Sequence, residues 1–130
     1  MKYDELILNI PLYHGELGIV VTDDLDKLIK NHGIDIEEYP MPIIYGHSFL
    51  LDNRGMQIFL IVLNPYGKIK VTHGVVSHEA VHIANMIFQR RNIEPDLDND
   101  EPYAYLVEGI VNEVYKFLAK LKVRLSLEKE

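Results

Sequence analysis

The stretch of sequence that decides the fold is SFLLDNRGMQIFLIVL, residues 48–63. Its second half, residues 56–63, is rich in Ile, Val and Phe, which favour β-strands, and it is apolar at both alternating sets of positions. The four residues between, Asp52 to Gly55, are typical of a tight turn. The stretch therefore predicts a β-hairpin whose second strand is covered on both faces of the sheet.

Two further strands are predicted before this hairpin, and two helices after it. Runs rich in β-branched residues at 6–10 and 17–22 predict strands joined by a turn, and a short helix is expected after Asp24. Apolar residues spaced by three and four predict helices over 74–91 and 102–124. Strands first and helices last predict an α+β fold, in which a mostly antiparallel sheet is backed by two long antiparallel helices.

The composition restricts the classes of protein to which the chain can belong. Its 130 residues, 48% hydrophobic and 25% charged, predict one soluble domain over 1–130. The absence of cysteine excludes disulfides and thiolate zinc ligands, and the net charge of −7 argues against nucleic-acid binding. The longest apolar run has six residues, and the N-terminus has no signal pattern. We therefore expect a cytoplasmic protein that binds no membrane, while its oligomeric state stays open.

A candidate metal site is present in the string His78-Glu79-Ala80-Val81-His82. Because the string falls inside the first long helix, its histidines at positions i and i+4 share one face and can bind the same ion. Glu79 projects beside them, where a carboxylate can take a proton from metal-bound water. The motif therefore predicts zinc held by His78 and His82 with Glu79 as general base. The alternative is a pair of partly buried histidines that neighbouring groups satisfy without metal.

A catalytic zinc ion usually has three protein ligands, so a third ligand is required. No histidine follows His82, which leaves a carboxylate or one of the four earlier histidines. Glu101 is preferred, because the nineteen residues after His82 allow the motif helix to end and a second helix to begin antiparallel to it. Glu108 is the next candidate, two helical turns deeper. Asp98 and Asp100 lie on the connecting loop and are less suited to a rigid site.

The motif and the residues after it resemble the gluzincin-type zinc metallopeptidases. The resemblance is carried by His78-Glu79-Ala80-Val81-His82 and by Glu101-Pro102-Tyr103-Ala104-Tyr105-Leu106. The stretch 77–111 is also similar to small proteins encoded by bacteriophages and gut bacteria. The resemblance implies a zincin-like fold, Zn²⁺ as cofactor and Glu101 as third ligand. It covers about a quarter of the chain and implies no particular substrate.

The reaction implied is hydrolysis of a peptide bond in a peptide or protein substrate. Glu79 would accept the proton of the attacking water and pass it to the leaving amine. Tyr103, Tyr105 and His73 are the candidates for stabilising the oxyanion. Glu108, if it is no ligand, would accept a hydrogen bond from a ligating histidine. The substrate is expected to add as a strand along an exposed edge of the hairpin.

Two other classes of protein are compatible with the same residues. One is a non-catalytic, zincin-like protein of a phage, a virion or a regulatory pathway that keeps its metal for stability. The small size of the chain favours it, but the intact Glu79 argues against it, because a purely structural site does not need a general base. The other is a metal-free protein that regulates by binding a partner. Metal analysis separates the metal-binding alternatives from the metal-free one.

Overall fold

The structure is a computed structural model that describes residues 1–35, 46–53 and 55–125. Within these ranges it contains four strands and three helices. In chain order these elements are β1 (Tyr3–Asn9), β2 (Glu16–Thr22), α1 (Leu25–His32), β3 (Gly46–Asn53), β4 (Met56–Leu63), α2 (His73–Arg90) and α3 (Glu101–Lys120). The α+β class predicted from the sequence is confirmed.

The four strands form one mixed sheet in the order β1-β2-β4-β3. The pairs β1–β2 and β3–β4 are antiparallel, as expected for strands that follow each other along the chain. The central pair is parallel, with Glu16 opposite Ile58 and Val21 opposite Leu63. A parallel pair requires a crossover, and α1 lies within the connection from β2 to the hairpin. The sequence analysis did not predict this pair, because periodicity identifies strands but not their partners.

The second strand of the hairpin, β4, is buried on both faces, which confirms the prediction from its apolar run. Phe59, Ile61 and Leu63 belong to the larger core cluster, which also contains the buried faces of α2 and α3. Leu60 and Val62 belong to a second cluster on the other face, beneath α1. Both clusters consist of side chains with little or no exposed surface. The sheet therefore lies between α1 on one side and α2 with α3 on the other.

The helix ends follow local signals in the sequence. The side chain of Asp24 caps α1, that of Thr72 caps α2, and a proline occupies the first turn of α3. The last helix ends at Lys120, earlier than the predicted 124, because Lys122 adopts a left-handed conformation with φ 59°. In the described ranges, no helix has both the length and the apolar character needed to cross a membrane.

The helices α2 and α3 lie side by side and run in opposite directions. Near the start of α3, the Tyr103 hydroxyl donates a hydrogen bond to Oδ1 of Asn85 at 2.6 Å. Near its end, the Tyr115 hydroxyl lies 2.7 Å from Nδ1 of His73 at the start of α2. Residues 103–115 of α3 therefore run alongside residues 73–85 of α2, the part that carries the histidine motif.

Candidate metal centre

The two histidines of the motif lie one helical turn apart on the exposed side of α2. Their Nε2 atoms are 3.1 Å apart, and the rings meet edge to face with centroids 4.7 Å apart. Zinc binds imidazole nitrogen at 2.0–2.1 Å, so two such ligands at a tetrahedral angle lie about 3.3 Å apart. The observed separation therefore fits two nitrogens that share one ion. Without metal, the same separation fits a hydrogen bond between two neutral imidazoles.

Glu79 lies beside this pair but on the buried side of α2, with 7% of its surface exposed. Its Oε1 atom accepts a hydrogen bond of 2.6 Å from the hydroxyl of Ser48. Its Oε2 atom lies 4.0 Å from Nε2 of His78. Among the described residues, Glu79 is the one charged side chain that is buried. One carboxylate oxygen is thus held by a neighbour, while the other is directed towards the histidine pair.

The strand that supplies Ser48, β3, approaches α2 closely because of a glycine. A Cβ atom at Gly46 would lie 3.0 Å from Cγ1 of Val75 and 3.6 Å from Cγ of Glu79. Ser48, two residues later on the same face, is buried and reaches the carboxylate. Ser48 is not identifiable as a site residue from the sequence, because serine is common at the ends of strands. The one feature that could have indicated it is its position on the core-facing side of the hairpin.

Glu101, the predicted third ligand, is the first residue of α3 and is exposed. Tyr103 fixes this end of the helix on α2 through Asn85 and through the carbonyl of Val81, 3.3 Å from its hydroxyl. Glu101 therefore belongs to a helix end that packs beside α2 just beyond His82. In the part of the chain that the structure describes, however, no three His, Asp or Glu side chains form a group able to hold a metal ion. The structure brings the two histidines together without Glu101, whose ligand role stays a prediction.

Glu108, the other candidate carboxylate, is exposed on α3. It lies between Tyr103 and Tyr115, the residues whose contacts join α3 to α2. Its position along the helix is therefore closer to the level of the motif than that of Glu101. No described contact joins its carboxylate to either histidine.

The four earlier histidines have other surroundings. The ring of His73 stacks on Tyr115, and Nε2 of His32 lies 2.6 Å from Oε1 of Glu5. The ring of His47 lies 4.6 Å from that of Phe49, which belongs to the core cluster beneath α1. His14 lies in the turn between β1 and β2, close to Arg91. Within the described ranges, none of these histidines joins the pair on α2.

The two tyrosines proposed for the oxyanion are separated by the structure. Burial raises the pKa of Tyr103. Its hydroxyl already donates its proton in the hydrogen bond to Asn85, so it is not directed at the histidine pair. Tyr105 is 66% exposed and lines an apolar cavity of about 510 Å³ between α3 and the end of β1. Residues of the motif do not line that cavity. His73, the third candidate, has its Nδ1 atom beside Tyr115. No described contact brings any of the three to the histidine pair.

Comparisons with known protein families, with curated proteins and with solved structures find no match to this chain.

Proposed function

We propose that the chain is a zinc-dependent peptidase with a zincin-like fold and a gluzincin-like ligand set. The observation that carries the proposal is the combination of two histidine Nε2 atoms 3.1 Å apart with a buried carboxylate directed towards them. In this proposal His78 and His82 hold the zinc, and Glu101 completes the site from the start of α3. A helix that needed only stability would place an apolar side chain at position 79, because burying a carboxylate is costly.

The roles of the residues follow from their places. Zinc, when bound, lowers the pKa of a coordinated water and polarises the scissile carbonyl. Glu79 would accept the proton of the attacking water on Oε2, the oxygen that lies 4.0 Å from Nε2 of His78, and would donate that proton to the leaving amine. Its other oxygen, Oε1, accepts the hydrogen bond from Ser48.

The substrate in this proposal is an extended peptide that adds to the sheet beside the motif. In the order β1-β2-β4-β3, β4 lies between two strands, and β3 is the last strand of the described sheet. Because β3 carries Ser48, a peptide that pairs with this strand would lie close to Glu79. The net charge of −7 favours a neutral or basic peptide over an acidic one.

The alternative is a non-catalytic, zincin-like protein of a phage, a virion or a regulatory pathway that binds a partner. The observation that favours it is the apolar cavity beside Tyr105, which offers a binding surface away from the motif. Such a protein would have no need of a proton acceptor at position 79. Loss of peptidase activity on replacing the carboxylate of Glu79 by an amide therefore separates the two proposals.

The experiment compares the zinc-loaded wild type with Glu79→Gln on fluorescein-labelled casein. The amide keeps the shape of the side chain and accepts the bond from Ser48, but it cannot take up the proton of water. We expect cleavage to fall about 10²–10⁴-fold while the zinc content stays unchanged.

The matched control is Glu113→Gln, the same chemical change on α3, where Glu113 pairs with Lys116 at 3.3 Å. This variant should cleave casein like the wild type. Cleavage by Glu79→Gln at the wild-type rate would remove Glu79 from the reaction.

A further inference from the structure

We propose that Ser48 is a positioning residue, which orients the carboxylate of Glu79 for proton transfer. This inference rests on the proposed peptidase function and assigns a role to a residue outside the motif. The Ser48 hydroxyl lies 2.6 Å from Oε1 of Glu79 and 3.3 Å from the backbone carbonyl of the same residue. Both acceptors thus belong to Glu79, the residue whose carboxylate must be oriented for proton transfer.

The hydrogen bond makes the two carboxylate oxygens different. A free carboxylate turns about its terminal torsion, which is broad, so neither oxygen keeps a fixed direction. Donation to Oε1 selects the orientation in which Oε2 lies 4.0 Å from Nε2 of His78. A proton acceptor gains rate when it is held in its reactive position before the reaction begins.

Ser48 is itself held rigidly. It lies opposite Ile61 in the antiparallel pair β3–β4, and only 8% of its surface is exposed. The close approach of β3 to α2 at Gly46 sets the distance over which the hydroxyl reaches. The sheet therefore fixes the donor, and the donor fixes the carboxylate.

A purely structural role for Ser48 would be to satisfy a buried carboxylate and so stabilise the fold. Removing the hydroxyl would then lower stability without a separate effect on turnover. Thr22 provides a matched control, because it is fully buried and its hydroxyl donates to the carbonyl of Lys2 at 2.6 Å, outside the motif. Thr22→Val removes a buried hydroxyl, which also accepts a hydrogen bond of 2.8 Å from the backbone N–H of Asp24, and it leaves Glu79 untouched.

The experiment compares Ser48→Ala, Ser48→Thr and Thr22→Val in the zinc-loaded chain. The assay is cleavage of labelled casein, with zinc affinity and thermal unfolding measured in parallel. We expect Ser48→Ala to lower kcat about 10- to 100-fold with KM and zinc affinity little changed. Ser48→Thr keeps the donor and should restore kcat to within a few-fold of the wild type. Thr22→Val should lower the unfolding temperature but not kcat.

Binding of acetohydroxamate to the zinc-loaded chain gives a second readout that needs no turnover. A hydroxamate on zinc donates a hydrogen bond to a neighbouring carboxylate, so a misplaced Glu79 should weaken its binding in Ser48→Ala but not in Thr22→Val. If Ser48→Ala matches the wild type in both kcat and hydroxamate binding, the inference is wrong while the peptidase proposal stands. If the wild type binds no zinc, both proposals fall together.

Discussion

At the scale of single residues, the candidate site places one carboxylate out of water beside two imidazoles that remain exposed. Taking a carboxylate out of water is unfavourable unless hydrogen bonds replace its hydration. Glu79 has such a bond from Ser48, so the fold supports the charge on the buried side of α2. The two histidines need no such support, because both are exposed to solvent.

A first prediction at this scale concerns the third ligand. We expect Glu101→Ala to weaken zinc binding by more than the 10–100-fold that is typical when a group outside the ligand set is removed. The reason is that Glu101 would supply the third ligand from the first turn of α3, near a helix N-terminus, where acidic side chains are favoured. Competition titration with a zinc chelator measures the affinity.

Glu108→Ala is the matched comparison, since both residues are exposed glutamates on the same helix. It should weaken zinc by 10–100-fold at most if Glu108 acts only on a ligating histidine. A greater loss in Glu108→Ala than in Glu101→Ala would reverse the assignment, as its position nearer the level of the motif allows.

The residues of the motif are predictable from the sequence because the spacing i, i+4 fixes two side chains on one helical face. That prediction needs only the period of the helix, and the structure places the two Nε2 atoms 3.1 Å apart. Ser48 was not predictable in this way. Its contact with Glu79 depends on how closely β3 approaches α2, which no local pattern determines.

At the scale of the elements, each helix is delimited by residues that the sequence already shows. Asp24 caps the start of α1, where its side chain accepts a hydrogen bond from the backbone N–H of Lys27, and Gly33 follows the last residue of the helix. Gly33 has a φ of 61°, a left-handed conformation that costs little for glycine and more for other residues. The elements are thus predictable from local signals, but not all of their ends: β1 begins at Tyr3 instead of the expected residue 6, and α3 ends at Lys120 instead of 124. The parallel pairing of β2 with β4 was not predictable either.

Replacing either of two glycines in the helices or at their ends by alanine should change the stability of the fold, in opposite directions. Gly33→Ala should destabilise the fold by about 1 kcal/mol, because alanine is strained at positive φ. Gly109→Ala should stabilise it by roughly 0.5–1 kcal/mol, because alanine favours the interior of a helix. A Cβ atom at either position meets no atom within 4 Å, so packing does not contribute to either effect.

Urea unfolding of the two variants beside the wild type measures both changes. The changes in the free energy of unfolding should have opposite signs in the two variants. Destabilisation by Gly109→Ala would show that something outside the helix depends on the missing side chain, most directly at the apolar cavity that Gly109 lines.

At the scale of the whole molecule, α2 is joined to the sheet and its turns at two separate places. Its motif half is joined to β3 through Ser48 and Glu79. Its end is joined to the turn between β1 and β2 by Arg91, which donates to the carbonyl of Tyr13, to the carbonyl of His14 at 3.0 Å and to Gln57 at 2.7 Å. The arginine thus connects a helix end, a turn and β4. The sequence analysis did not predict this connection, because the three parts are far apart along the chain.

The proposed function requires that His78, His82 and Glu101 hold a zinc ion, so the zinc content of the purified chain is decisive. The chain is purified without a histidine tag, supplied with zinc, separated from free metal and analysed by mass spectrometry of the metal. We expect about one zinc ion per wild-type chain and almost none in a variant that carries both His78→Ala and His82→Ala. Less than about 0.2 zinc per wild-type chain, from protein that is folded, would contradict the account.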